Sequence, residues 1–304
     1  MNQISKSIVF AALTGFFAHS HGKSEELSLS FDKLTESWRK AQEGLCIEST
    51  NEGLLTDKIK FKPPGDRFVT AIDYTVGLNK YHYKVVHTNV AGIKTVDAEY
   101  AHNGQNYFIL LNKDSMLEVS KIPLKNNAIL GNLNTIFRPY FFMNMLLDDT
   151  FNPNRVISAA DLSNLDYWKK LSGQLDKVLG DKNNYVLLEI KNPAIPNHSF
   201  EVIFSKKENS LPVNWKYFID GKVRFEYAIT QIGSAKTEDK QVVYYPKTAT
   251  EWAYGINGNI GTVINHAIAK FEIKKLDEEA FEIDPAKAQS VYDVENKSLI
   301  KIPQ

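Results

Sequence analysis

The chain has 304 residues, and its 36 acidic and 36 basic side chains balance to a formal net charge of zero. Such a chain has no net field that would steer it to nucleic acid or to anionic lipid. Its length is sufficient for an ordinary hydrophobic core, in one large domain or two smaller ones.

The first residues have the pattern of a secretory signal peptide. Lys6 precedes an uninterrupted apolar run at 8–18. A helix of this length spans about half of a hydrocarbon core roughly 30 Å thick, so the run suits a signal-peptide core and is too short for an ordinary membrane anchor. Small residues two positions apart favour cleavage before His21, and a buried N-terminal helix is the alternative. We therefore predict a signal peptide at 1–20 and a periplasmic or secreted protein.

A single cysteine, Cys46, is present. An exported protein with one thiol has no internal disulfide, and no cysteine follows the apolar run to carry a lipid anchor. Cys46 lies between Leu45 and Ile47 at the end of an apolar helical pattern, which predicts a buried small hydrophobe rather than a reactive thiol. Residues 21–304 are accordingly expected to form a single domain stabilised by packing.

The first element after the leader is predicted to be a helix. Phe31, Leu34, Trp38, Ala41 and Leu45 recur at spacings of three and four, which places them on one face. This apolar face requires a partner surface.

From about Lys58 to Ser120 the apolar period changes to two, which is typical of strands. Tyr81, Tyr83 and Val85 share one face, and several tight turns follow. The stretch 107–111 is apolar on both faces, which predicts a strand covered on both sides.

The middle of the chain is predicted to be helical. An apolar stripe at 129–137 is ended by Pro139, a second apolar helix is expected at 141–149, and a third at 161–171. In the third, the residues expected to face inward are Leu162, Leu165, Trp168 and Leu171.

The remainder again has the pattern of strands, with a hairpin signal at Asp220-Gly221. Strands and helices are not in βαβ alternation, which argues against a doubly wound parallel sheet. About ten to twelve hairpin-connected strands predict a mainly β, α+β fold. Its form would be a large curled antiparallel sheet, or half-open β-barrel, covered by a few α-helices.

Motifs that carry chemistry are missing from the sequence. No histidine pair has HExxH spacing, and there is no P-loop or Gly-x-Ser-x-Gly motif. The glycines at 255–261 lack the Lys-Ser/Thr of a phosphate-binding loop and predict a flexible hairpin. We predict no catalytic residue, metal or cofactor, and therefore a protein that is not an enzyme.

A curled sheet with an apolar inner face and apolar helices over it predicts a cavity for a hydrophobic ligand. The alternative is that these side chains fill a core, as aromatic residues usually do. The residues expected to line the cavity are Phe108, Leu110, Phe141, Phe142, Met145, Trp215, Phe218, Phe225 and Tyr227.

In its order of elements the chain resembles the LolA/LolB-like superfamily of outer-membrane lipoprotein carriers. The likeness is carried by LPVNWKYFIDGKVRFEYAITQI and VVYYPKTATEW at 211–232 and 242–252. The ending FEIDPAKAQSVYDVENKSLIKIP resembles long, uncharacterised exported members of planctomycete and verrucomicrobia type. The chain is much longer than the classical carriers, and no lipoprotein-handling residue of the family matches a position here.

The resemblance implies an incomplete β-barrel closed by helices that binds acyl chains in the periplasm. The expected function is that of a monomeric carrier for lipid or lipoprotein acyl chains, with an envelope membrane protein as a further partner and no nucleic acid. An exported hydrolase with an unrecognised site and a non-catalytic structural protein of the envelope are the alternatives.

Overall fold

A computed structural model describes residues 29, 31–55, 67–89, 91–111, 115–122, 137–143, 157, 159–173, 175–182, 184–191 and 195–302. The predicted signal peptide, most of the two predicted middle helices and Met145 lie outside these residues.

The described residues form one curled, unclosed sheet of fifteen strands. Its order is β15-β14-β6-β5-β4-β3-β2-β1-β13-β12-β11-β10-β9-β8-β7. The strands are β1 Leu45–Leu55, β2 Arg67–Gly77, β3 Lys80–Asn89, β4 Lys94–His102, β5 Tyr107–Leu111, β6 Met116–Ser120, β7 Leu175–Lys182, β8 Tyr185–Lys191, β9 His198–Ser205, β10 Leu211–Ile219, β11 Lys222–Lys236, β12 Val242–Tyr254, β13 Ile260–Ile273, β14 Ser290–Asp293 and β15 Ser298–Lys301. The predicted fold class is confirmed.

Neighbouring strands are antiparallel except for the parallel pair β6–β14. Most neighbours follow each other along the chain and are joined by short turns, as the hairpin signals predict. Two neighbouring pairs are not consecutive in the chain. One is β6 with β14, and the other is β1 with β13, through which β1 joins the N-terminal strands to the C-terminal ones.

Helices cover one face of the sheet, which we call the inner face. They are α1 Asp32–Ala41, the 3-10 helix Arg138–Met143, α2 Ala159–Leu162 and α3 Leu165–Gly173. In α1 the predicted apolar stripe is buried at Leu34, Trp38 and Ala41. The helical pattern does not continue to Leu45, which begins β1.

Two predictions for single residues of these elements are wrong. Cys46 is half-buried on β1 instead of buried at a helix end, because its side chain alternates with the inward-facing Leu45 and Ile47. The third predicted helix is broken into α2 and α3, and Leu165, at the start of α3, is 42% exposed rather than inward.

The first part of the C-terminal segment 277–302, before β14, lies on the opposite, outer face of strands β3 to β6, and β14 and β15 then extend the sheet beside β6. Ile283 and Ala288 pack there against Ala101, Leu110 and Leu117 in a second hydrophobic cluster. The strand at 107–111 is therefore covered on both faces, as its sequence predicts.

Polar contacts also attach the C-terminal segment to the outer face. The Lys287 ammonium donates to the Glu99 carboxylate over 2.9 Å, and Asn103 Nδ2 donates to Glu282 Oε1 over 2.7 Å. Gly77 leaves room for Phe281, since a Cβ at this position would meet the Phe281 ring at 2.5 Å.

Candidate functional site

The inner face is closed in part by a short segment, the 3-10 helix Arg138–Met143, which we call the cover. Proline at position 139 has no backbone N–H to donate, so it suits a short helical turn better than the interior of a long helix. The side chains from Pro139 to Met143 are buried. A helix this short is held by its contacts rather than by its own hydrogen bonds.

Aromatic rings form the surface beneath the cover. Phe141 stacks on Trp215 with ring centroids 5.7 Å apart, and Trp215 stacks on Tyr227 at the same distance. Phe142 packs against Phe200 and Phe204 of β9 at 6.1 and 5.9 Å. These offset and tilted arrangements are favourable for aromatic pairs, and they fill the inner face with apolar surface.

Two hydrogen bonds from tryptophan side chains fix the cover in position. The Trp215 indole Nε1–H donates to the backbone oxygen of Arg138 over 3.1 Å, and Trp38 Nε1–H donates to the Tyr140 hydroxyl over 3.3 Å. Two tryptophans on different elements, β10 and α1, thus hold a six-residue helix in place.

A buried ion pair adds to this attachment. The Arg138 guanidinium donates to both carboxylate oxygens of Glu251 on β12. The Glu251 side chain is only 3% exposed. Burial acts to raise the pKa of Glu251, but the facing guanidinium outweighs it and holds the pKa below its ordinary value. The positive charge of the cover is therefore paired with a buried carboxylate of the sheet.

His266 of β13 continues this polar group. Its Nδ1 lies 2.9 Å from the Asn51 Oδ1 of β1, and its Nε2 lies 3.9 Å from Glu251 Oε2. Burial lowers the pKa of His266 to about 4, although the Glu251 carboxylate opposes the shift, so the imidazole is neutral at pH 7. Within the described part of the chain, His266 Nε2 and the Tyr227 hydroxyl have no hydrogen-bond partner.

The structure brings together five of the residues predicted to line a cavity. Phe141, Phe142, Trp215 and Tyr227 lie at the cover, and Phe225 stacks on the adjacent Tyr217 with centroids 6.1 Å apart. All of these rings are packed against other side chains of the core.

The other predicted residues are placed differently. Phe108 and Leu110 are on the outer face, under the C-terminal segment, because they alternate with the inward-facing Ile109. The register of β5 thus corrects their predicted assignment to the cavity, because it places both side chains on the opposite face of the sheet. Phe218 is half-buried near the end of β10, next to a register irregularity.

Sequence reasoning did not select the polar group Arg138, Glu251, His266 and Asn51. One signal for it was present, since in TATEWAY the charged Glu251 occupies the same strand face as Ala249, which is buried. A charge at an inward position of an alternating strand indicates a buried partner.

No group of three or more His, Cys, Asp or Glu side chains that could hold a metal is found among the described residues. The hydrogen bonds of Glu251 and His266 lead to Arg138 and Asn51 rather than to a hydroxyl or thiol nucleophile. None of the described helices is both long and apolar enough to cross a membrane.

No protein-family model matches the chain, and no curated protein matches it either. Similar folds are found among solved structures. An outer membrane lipoprotein-sorting protein domain from Vibrio parahaemolyticus has a TM-score of 0.38 and 10% identity, over 83% of this chain and 97% of that one. Its description names lipoprotein sorting, as does that of the superfamily that the sequence resembles.

Two further structures have lower scores. A conserved protein from Thermus thermophilus has a TM-score of 0.31 and 8% identity, over 86% of this chain and 97% of that one. MucB, in a complex with MucA(peri), has a TM-score of 0.23 and 8% identity, over 78% of this chain and 92% of that one. At such identities and TM-scores the similarity says nothing of ligand or activity.

Proposed function

We propose that this protein is an exported carrier that binds an acyl chain, or a similarly apolar ligand, against the inner face of its sheet. One observation carries the proposal: the aromatic surface around Trp215 is covered by a six-residue 3-10 helix, with no further strand over it among the described residues. A displaced cover would expose a ready apolar surface on Trp215, Tyr227 and Phe200.

The energetics favour an apolar ligand. Burial of each methylene group contributes about 0.8 kcal/mol, so a long acyl chain can replace the packing of the cover without specific polar contacts. Because the rings are packed in the closed form, binding requires the cover to move. The ligand therefore offsets the loss of the contacts at Phe141 and Arg138 by its own burial.

Export and partners form part of the proposal. The leader at 1–20 supports a periplasmic or secreted location, and residues 21–304 would act as one monomeric unit. Its cargo would be lipid or lipoprotein acyl chains, delivered to or received from a membrane protein of the envelope. We propose no catalytic step and no cofactor.

The first test is native mass spectrometry of protein purified from the periplasm of its host, followed by titration with a fluorescent fatty acid. We expect a co-purifying lipid mass and saturable uptake of the probe. A clean mass of the protein alone, with no uptake of the probe, would overturn the proposal.

A matched pair of variants locates the site. Phe141→Ser changes the cover, and Phe108→Ser changes an aromatic residue on the outer face. We expect Phe141→Ser to raise probe affinity by about tenfold, because the ligand no longer has to displace the aromatic contact of this ring, and Phe108→Ser to leave it within about twofold. Circular dichroism confirms that both variants are folded. Equal effects of the two would place the ligand elsewhere.

A further inference from the structure

A second surface of the molecule carries a cationic pocket. It lies between the start of β11 and the end of β12 and has a volume of about 450 Å³. Three cationic side chains and one carboxylate line it, namely Lys216, Lys222, Arg224 and Glu226. None of the residues predicted to bind an acyl chain contributes to it. The balanced net charge of the chain thus coexists with a local excess of positive charge.

The positive charge is positioned by the surrounding structure. Arg224 Nη1 donates to the backbone oxygen of Gly255 over 3.1 Å. Lys216 lies 3.9 Å from a Glu226 oxygen, and the other Glu226 oxygen accepts from the Tyr254 hydroxyl over 2.9 Å. Burial lowers the pKa of Lys216, while Glu226 and Glu201 oppose this shift. An additional anion in the pocket would stabilise the charged ammonium.

An exposed apolar tip adjoins these cations. The turn between β12 and β13 is the hairpin predicted from its glycines, and Gly255, Ile256, Asn257 and Gly258 also line the pocket. The Ile256 side chain is 86% exposed. Gly258 has a φ of +83°, which glycine adopts without strain. The hairpin therefore presents a large aliphatic side chain to solvent directly beside a cationic pocket.

We infer that this surface docks on an anionic phospholipid bilayer, with a lipid phosphate in the pocket and Ile256 in the interface. Cations beside an exposed apolar side chain are the combination that binds such a surface, because the cations attract anionic headgroups while the side chain enters the acyl boundary. A soluble anion would satisfy the cations but would leave Ile256 without a role. The inference is independent of the acyl-binding site, since the two share no residue.

The test is co-sedimentation of the purified full-length mature protein with vesicles of phosphatidylcholine alone or with phosphatidylglycerol added. We expect at least about fivefold more protein on the anionic vesicles at low salt, and a loss of binding when salt reduces the Debye length to about 3 Å. Equal binding to neutral vesicles would overturn the inference.

Matched variants separate the two components. Ile256→Asp is compared with Ile300→Asp, an isoleucine 59% exposed on β15, and Lys222→Glu with Lys236→Glu at the other end of β11. We expect Ile256→Asp and Lys222→Glu each to reduce vesicle binding by about tenfold, and the two controls to stay within about twofold. Loss of binding in a control to the same extent would contradict the assignment.

A third measurement distinguishes the source of the anion. Inorganic phosphate is titrated by calorimetry into the wild type and Ile256→Asp. Tight phosphate binding without vesicle binding would overturn the membrane inference in favour of a soluble anion site. Uptake of the fluorescent fatty acid in the same variants is expected to be unchanged, so failure of docking and failure of the acyl-binding proposal are distinguishable.

Discussion

Glu251 and Arg138 bring opposite charges together under the cover although they are 113 residues apart in the chain. Such a pair contributes less to stability than its geometry suggests, since both charges lose their hydration. Removal of one charged partner is costly, because the remaining charge is then buried without a counter-charge.

We predict that Glu251→Gln lowers the free energy of unfolding by about 3 kcal/mol, because the Arg138 guanidinium loses its counter-charge. The measurement is urea unfolding followed by tryptophan fluorescence. The matched control is Glu48→Gln, whose carboxylate is 53% exposed and pairs with Lys270; it should cost no more than about 0.5 kcal/mol. A similar cost for both substitutions would show that the buried pair has no special contribution.

We predict that the buried His266 makes the free energy of unfolding depend on pH. Its pKa is about 4 in the folded protein and its ordinary value is 6.5, so the unfolded chain binds the proton first as pH falls. The contribution of neutral His266 to the free energy of unfolding is complete above about pH 6.5 and is lost progressively down to about pH 4. The expected loss is on the order of 3 kcal/mol.

The measurement is the urea midpoint from pH 8 to pH 4 for the wild type and His266→Gln. The variant cannot titrate at this position, so its midpoint should depend less on pH in the window from 6.5 to 4. Parallel pH profiles of the two proteins would refute the assignment to His266.

At the scale of elements, most strands follow from local alternation and turn residues, and β1 does not. Leu45 and Ile47 face inward, but the next inward positions of this strand are Ser49, Asn51 and Gly53. Asn51 contacts His266 of the buried polar group, and Gly53 leaves room for the Phe68 ring, which a Cβ at this position would meet. The apolar alternation therefore ends half-way along β1, and its first residues resemble the end of a helix.

The candidate site shows a similar division. Its aromatic residues follow from sequence, because Trp215 and Tyr227 occupy inward positions of alternating strands. Its polar group does not, since Arg138, Glu251 and His266 are brought together by long-range pairing. Sequence pattern reports which side of a strand a residue faces, and it carries no information on which distant residue lies opposite.

The C-terminal segment gives a prediction of its own. Ile283→Asp places a carboxylate among the apolar side chains of Leu110, Leu117 and Ala101. We expect a loss of about 2–4 kcal/mol in the free energy of unfolding, from lost apolar burial and an unpaired charge. Faster hydrogen exchange of residues 283–302 should accompany it.

Ile300→Asp serves as the control, because this isoleucine of β15 is already 59% exposed. Its effect on unfolding should stay within about 0.5 kcal/mol. An Ile283→Asp protein as stable as this control would mean that the segment is not held by its apolar contacts.

At the scale of the whole molecule, a ligand that binds the folded chain must stabilise it. At a free ligand concentration of about 100 times Kd, the free energy of unfolding should rise by about 2.7 kcal/mol. Urea unfolding with and without a saturating fatty acid measures this change. The absence of a shift at saturation would contradict binding to the folded state.

A reducing agent provides the control for that measurement. Cys46 is the only cysteine of the sequence, so no internal disulfide exists to be reduced. We expect the same unfolding midpoint with and without reductant, in contrast to the shift caused by the ligand.

The position of β1 has a kinetic consequence. Leu45 pairs with Ile273, so β1 finds one of its two neighbours only after the strands β2 to β12 have been synthesised. Hairpins on either side of the β1–β13 pair can form early, since their strands are near each other in sequence. Pairing of β1 with β13 closes a loop of more than 200 residues, and such non-local pairing is slow. Refolding should therefore show early hairpin protection and late protection of β1 and β13, and before that step both strands expose an unpaired edge to aggregation.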